Sequence, residues 1–430
     1  MAARSAPLLL LLLLLSSCSA EAPSAPEPSE VASIALDPPL LVLSAGEEAR
    51  LVPSARNGIG QVVSTPAVTW ASTDTLAATV STDGVVVGRG AGRTTIVASF
   101  GDVQGTTEVR VVGVNRVKSM RDEELIWMLP NRWSALFTEP AGWPSTRERV
   151  HVAKLYVDWI DSASVSTLTS AVRVMADNHI ATAVELGGLR DWGCTSTIMI
   201  EVEGDKLAKL TDAGGALTYV VMDDPFGYTM ERANPQGCGY SALQVSEQLV
   251  DFVRAMRSAH HGVRIGLIEP VPWFWVGEHP PHPGNDFGGL PELLDTLQTV
   301  LGAAGEQIDF FHADSPYDWT EAHPAKWDKL VDLEREVRAR GLPFGLIYNT
   351  ENDGFATDER FHDETLEGLK AFWAAGGTPD HFIVQSWYAV PTRMIPEGQP
   401  YTFSNVVRDF MTRYDLGPTA TSVRSPPARR

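Results

Sequence analysis

The sequence predicts two domains of different fold class, an all-β sandwich followed by an α/β barrel of eight parallel strands. Two textures in the chain predict this. From about residue 31 to 112, short alternating runs such as Val68-Thr69-Trp70, Ala78-Thr79-Val80 and Thr95-Ile96-Val97 are separated by the turn pairs Asp83-Gly84 and Gly101-Asp102. Several short strands so punctuated indicate an antiparallel sandwich. From about Arg116 onward, apolar runs of five to seven residues alternate with amphipathic stretches. Unbroken apolar strands separated by helices mean a parallel sheet covered on both faces.

Ahead of the sandwich, Arg4 precedes the apolar run Leu8 to Leu15, and Ser16-Ser17-Cys18 follow at once. Eight leucines are too few to cross a bilayer, which takes roughly 20 residues, so residues 1–18 are expected to be a signal peptide and not part of the fold. The run Leu15-Ser16-Ser17-Cys18 resembles a bacterial lipobox, which implies lipidation of Cys18 and anchoring to the cell envelope, the outer membrane or cell surface. Residues 19–30 hold only Ala, Ser, Pro and Glu and are expected to form a flexible tether.

The sandwich is assigned to residues 31–113. Its stretch VTWASTDTLAATVSTDGVVVGRGAGRTTIVASFGD resembles the bacterial Ig-like domain, group 2. The resemblance implies a spacer or adhesive module, with Trp70 as the buried tryptophan and Asp83-Gly84 as a hairpin turn in which glycine takes the positive φ.

The barrel is assigned to residues 114–418, with 419–430 as a disordered tail. Its strands are expected at residues 125–129, 152–157, 180–186, 217–222, 263–268, 308–312, 344–348 and 382–384. Between them, Leu249, Phe252, Val253 and Met256 share one helical face behind a Ser241/Gln244 capping box, and Trp327, Leu330, Leu333 and Val337 share another. Eight such units in about 300 residues is the count of a (β/α)8, or TIM, barrel. A doubly wound open sheet is the alternative, but no G-x-G-x-x-G turn follows a strand to support a nucleotide-binding version.

A barrel of this kind works at the C-terminal ends of its strands. Those ends carry Glu185, Asp223-Asp224-Pro225, Glu269, His312-Ala313-Asp314, Tyr348-Asn349-Thr350-Glu351 and Gln385-Ser386-Trp387-Tyr388. Trp192, Phe226, Trp273, Trp275, Tyr317 and Trp319 crowd the same rim. Cleavage of a glycosidic bond needs two facing carboxyls, one to protonate the leaving oxygen and one to attack or to activate water. Aromatic faces cover the C–H face of a sugar ring. Adjacent in a strand, Asp223 and Asp224 would point to opposite faces, so both reach the site only if the chain turns between them. Lys154 is read as an internal ion-pair partner on strand 2. Cys194 and Cys238 fall after neighbouring strands and, in an exported chain, are expected to form a disulfide.

The strand endings resemble the clan of retaining barrel glycosidases with an acid/base after strand 4 and a nucleophile after strand 7. Asp223-Asp224-Pro225 stands where that clan has Asn-Glu-Pro, and Thr350-Glu351 where it has Thr-Glu. IDFFHADSPYDW resembles the strand-6 segment, and Trp387 stands at the strand-8 tryptophan. The resemblance implies Asp224 and Glu351 as the catalytic pair, with Glu185, Glu269 and Asp223 as alternates. It implies His312, Trp273, Tyr317, Trp319, Tyr348, Trp387 and Tyr388 around the sugar. The departure from Glu to the shorter Asp at position 224 widens the gap between the pair toward the inverting range, unless the backbone carries Asp224 forward.

The reading that follows is an exported lipoprotein acting as a glycoside hydrolase on a poly- or oligosaccharide. The alternative is a catalytically silent barrel that binds surface glycan. A formal net charge of -20 argues against nucleic acid or an anionic membrane surface as partner. His312, Asp314 and Glu269 could be drawn together as metal ligands, but they lack ligand spacing, so no metal or cofactor is expected, and the protein is expected to be a monomer.

Overall fold

The computed structural model describes residues 30–44, 46–90, 92–112, 124–190, 193–230, 238–271, 289–322, 326–350 and 357–415. Cys18, Trp192, Trp273, Trp275 and Glu351 lie outside the described residues.

Ten strands form the sandwich: β1 (Val31–Asp37), β2 (Leu40–Ser44), β3 (Glu48–Arg50), β4 (Val52–Asn57), β5 (Val62–Val63), β6 (Thr69–Ser72), β7 (Ala78–Val80), β8 (Val85–Gly88), β9 (Gly92–Phe100) and β10 (Val103–Val112). They make sheets of order β1-β4-β5, β2-β10-β9-β6 and β3-β8-β7, antiparallel except where β2 pairs with β10. The period-2 pattern of β9 and β10 sends Ile96, Ala98, Val109 and Val111 inward, where they meet Ile34, Leu36, Leu41 and Val86. Trp70 is half-buried against the edge of this core, a position less central than expected. Gly84 sits at φ +81° in the Ser81–Val85 turn, and a Cβ there would lie 2.8 Å from the Trp70 ring and 2.9 Å from the Leu51 carbonyl oxygen. Only glycine meets both conditions.

The second domain is a closed barrel of eight parallel strands in sequence order: β11 (Leu125–Leu129), β12 (Val152–Tyr156), β13 (Ala181–Leu186), β14 (Tyr219–Asp223), β15 (Arg264–Pro270), β16 (Phe310–Asp314), β17 (Phe344–Tyr348) and β18 (His381–Gln385). Alternate side chains separate two cores. Trp127, Tyr219, Val221, Ile268, Phe310, Ile347 and Ile383 fill the barrel itself. Ile126, Leu155, Val184, Val220, Met222, Leu267 and Leu346 face the helices. The helix Ala242–Ala259 begins with the Ser241/Gln244 capping box and buries Leu249, Phe252, Val253 and Met256 against the sheet.

The sandwich docks beneath the barrel, on the face carrying the N-terminal ends of the strands. Arg110 Nη1 pairs with Asp212 Oδ1 at 2.7 Å, at the end of the helix that leads into β14. Val42 packs on Ala216, and Val42 O accepts the His261 N–H. The opposite face, with the C-terminal strand ends, is left to the loops. There Cys194 and Cys238 are joined by a disulfide with a Cα–Cα distance of 5.6 Å, tying the loop after β13 to the loop after β14.

Candidate functional site

The site is built where β14 stops. Asp223 ends the strand with inward parity, following Tyr219 and Val221. Asp224 then takes φ +53°, a left-handed conformation that a non-glycine residue adopts at a cost of about 1–2 kcal/mol. Both aspartates are among the residues that line a cleft of about 290 Å³ at the barrel mouth, with the Asp224 carboxyl directed to Glu269 and to the backbone of Gly227. Tyr228, Pro270, Asp314, Trp319, Trp387 and Tyr388 complete its wall.

The two aspartates sit in opposite electrostatic settings. Asp223 Oδ2 accepts from Arg190 Nη2 at 2.6 Å, and the Arg190 guanidinium lies 4.2 Å from the Tyr228 ring centroid. Asp224 is only 7% exposed and shares a hydrogen bond with the buried carboxyl of Glu269. Burial first, and the Glu269 charge second, hold the Asp224 carboxyl well above the usual carboxylate range. Glu269 is also pushed up by burial, but it accepts the Phe226 N–H at 2.9 Å and the Gly227 N–H at 3.3 Å. Those two donors favour the charge on Glu269, so the shared proton resides on Asp224. The result is a carboxyl biased toward its protonated form beside an ion-paired carboxylate, in the wall of an aromatic cleft.

A second recess of about 410 Å³ continues the cleft past Asp223, Tyr228 and Trp387 to Tyr156, Glu185 and Arg190. Lys154 Nζ, fully buried on β12, lies 2.5 Å from Glu185 Oε2, and Gln385 Nε2 donates to the same oxygen at 3.3 Å. Lys154 is therefore an internal ion-pair partner. Burial pushes the Glu185 carboxyl up while Lys154 pulls it down.

Of the residues singled out from the sequence, Asp223, Asp224, Trp319, Trp387 and Tyr388 come together in the cleft, with Glu185 in its extension. Glu269 is placed differently. Its hydrogen bond to Asp224 brings the two carboxyls closer than the about 5 Å that a retaining pair needs, and its other contacts anchor the helix Pro225–Met230. Tyr348 faces outward, stacked on Phe382 and Phe410 under the helices, because it shares parity with Leu346. Tyr317 packs 6.1 Å from the Trp327 ring, on the outer side of its helix. Phe226 is fully buried in the helix-facing core. His312 lies inside the barrel below Asp314, its Nε2 2.8 Å from His381 Nδ1, and burial holds its ring neutral. These last four do not wall the cleft, and the sugar-binding places expected for Tyr348, Tyr317 and His312 are corrected accordingly.

One buried polar residue was missed. Asn349, 1% exposed at the end of β17, has neither amide atom hydrogen-bonded among the described residues. The Trp387 Nε1–H is buried and likewise lacks a partner. Parity could have found Asn349: it follows Ile347 by two and so points inward. Among the described residues, no three His, Cys, Asp or Glu side chains gather as a metal centre requires.

Residues 30–111 match the family model of the bacterial Ig-like domain (group 2). Among solved structures, domains 4 and 5 of the S-layer protein SbsC match at 26% identity over 19% of this chain and 52% of that one, with a TM-score of 0.18, so the chain spans about half of that structure. Across the barrel, GH5_18 from Streptomyces cattleya in complex with GlcNAc matches at 11% identity over 72% of this chain and 83% of that one, with a TM-score of 0.43. D-psicose 3-epimerase in the presence of D-fructose matches at 9% identity over 67% and 97%, with a TM-score of 0.38. No curated protein matches the sequence. At these identities neither barrel relative assigns a reaction to this chain.

Proposed function

We propose that the chain is an exported, lipid-anchored glycoside hydrolase that cleaves a poly- or oligosaccharide at the barrel mouth. One observation carries the reading: Asp224, in the wall of an aromatic-lined cleft, is held above the usual carboxylate range by burial and by Glu269, as a general acid requires. In this mechanism Asp224 gives its proton to the leaving glycosidic oxygen. The second carboxylate in this reading is Glu351, which follows β17 in the sequence, with Asp314 in the cleft wall as the described alternative. Trp319, Trp387 and Tyr388 cover the sugar faces, and the Trp387 Nε1–H supplies a hydrogen bond to a hydroxyl. The lipobox at Leu15–Cys18 supports anchoring through Cys18, with the Ig-like domain as a spacer.

The test is release of reducing ends from a glycan panel by the wild type, Asp224→Asn, Glu351→Gln and Asp314→Asn. Loss of one general acid removes about 10²–10⁴-fold in rate, so Asp224→Asn should fall by that factor. No release by the wild type from any glycan, with binding retained, replaces the enzyme by a glycan-binding protein. That second reading has its own support: Asp223 and Glu185 are each held by a cation, Arg190 and Lys154. Labelling of the wild type but not of Cys18→Ser by a radioactive fatty acid tests the anchor; label on neither removes it.

A further inference from the structure

Beside the cleft lies a recess that the mechanism does not use. It has a volume of about 530 Å³ and is walled by the loop after β11, the helix after β12 and the loop after β18. Trp133, Trp159, Met394 and Ile395 give it an apolar floor, and Arg132 and Arg393 stand at its exposed edge. Among the described residues, no carboxylate lines it. Among the described residues neither arginine has an ion pair; Arg132 donates only to the Thr392 carbonyl at 3.4 Å and Arg393 only to the Pro400 carbonyl at 3.5 Å. The nearest acid contact is on Thr392, where Asp358 accepts the backbone N–H at 2.7 Å and the hydroxyl at 2.6 Å. Both oxygens of that carboxylate are therefore engaged in holding the loop. Two further polar atoms are buried without partners, Trp133 Nε1, on a residue 0% exposed, and Asn131 Oδ1.

In a chain of net charge -20, two exposed guanidinium groups without an ion pair among the described residues stand at one recess whose lining holds two indoles. Guanidinium is the side chain best shaped for a planar oxyanion. The recess adjoins the cleft directly, since Asn131 in its wall donates to the carbonyl oxygen of Tyr388 in the cleft wall. A chain occupying the cleft would run over Tyr388 into it.

We infer that the Arg132/Arg393 recess is a distal subsite for an acidic sugar, whose carboxylate the two guanidinium groups take while its ring lies on Trp159, so that the substrate is an anionic glycan. The inference rests on the hydrolase reading for the identity of the chain but not for the binding itself. Titration calorimetry on the full protein, with tetragalacturonate and a neutral cellotetraose as probes, tests it. The wild type should bind tetragalacturonate more tightly than cellotetraose. Arg132→Gln/Arg393→Gln should weaken the acidic probe at least tenfold and leave the neutral one unchanged, with the Lys/Lys variant intermediate. Both arginines are exposed, so an unchanged melting temperature verifies the fold. Equal binding of tetragalacturonate by wild type and double variant overturns the subsite. Inorganic phosphate or octanoate binding as tightly as tetragalacturonate, and lost in the double variant, overturns the sugar reading in favour of a simple-anion or aliphatic site. Arginine-dependent binding without any reducing-end release keeps the subsite and removes the hydrolase. Wild-type hydrolysis of acidic chains by the double variant does the reverse.

Discussion

Replacing Glu203 by glutamine should change how stability depends on pH more than it changes stability itself. Glu203 stands on the helix Ser196–Asp212 and is 3% exposed. Its carboxylate accepts the Gly187 N–H at 2.6 Å and the Gly188 N–H at 3.2 Å, fixing the turn after β13 that carries Arg190. Burial pushes its carboxyl up from 4.5 to about 7, against those hydrogen bonds and the charge of Arg190. Below about pH 4.5 the group is protonated in both the folded and the unfolded chain and has no effect on the balance. Between there and about pH 7 the unfolded chain ionises while the folded one holds its proton, so stability declines as pH rises. The full decline is about 3 kcal/mol, at about 1.4 kcal/mol for each tenfold change in proton affinity. Glutamine cannot ionise. It keeps one acceptor for the turn and loses the other, a cost of about 1–3 kcal/mol at every pH. Urea unfolding of both proteins at about pH 5 and about pH 8 should therefore show the variant gaining about 2.5 kcal/mol on the wild type across that interval. Other buried acids titrate alike in both proteins and cancel in the difference. A gap between the two that moves by less than about 1 kcal/mol would refute a raised Glu203.

Removing the disulfide by Cys194→Ser should lower stability by about 4 kcal/mol, the loop-closure value for a separation of 44 residues, read from unfolding midpoints of oxidised wild type and variant. A Cβ on Gly227 would lie 2.0 Å from Asp224 Oδ1, so Gly227→Ala should displace the acid, lower stability by about 1–3 kcal/mol and lower the rate of glycan cleavage; a variant as stable and active as the wild type contradicts the close packing. The barrel expressed alone from Gly113 should fold and melt cooperatively, because its contacts with the sandwich are a few ion pairs and one small apolar patch. A molten or insoluble barrel would show that the two share a core.

The barrel was legible because its strands are buried on both faces. Runs such as Phe344–Tyr348 need no partner to be recognised, and the strand limits read from the sequence differ from the observed ones by no more than two residues at each end. What the runs hide is which side chains face the axis. That is a matter of parity, and a run apolar throughout does not display it. Tyr348 and Glu269 were misread for that reason: each sits two residues after a helix-facing leucine, Leu346 and Leu267. Asp224 was hidden differently, on a left-handed backbone turn that no pattern of residues announces. The Glu203 anchor and the Arg132/Arg393 recess were invisible for a third reason. Each joins side chains to backbone or to one another across loops, and the Arg132–Thr392 contact spans 260 residues.

Docking of the sandwich under the N-terminal strand ends gives the molecule a front and a back. Whatever the β-strand module is fastened to lies behind the barrel, while the acid cleft and its arginine annex open forward. The two ends cannot close on a common target like the jaws of a clamp. A long polymer laid across the front face would not meet the β-strand module.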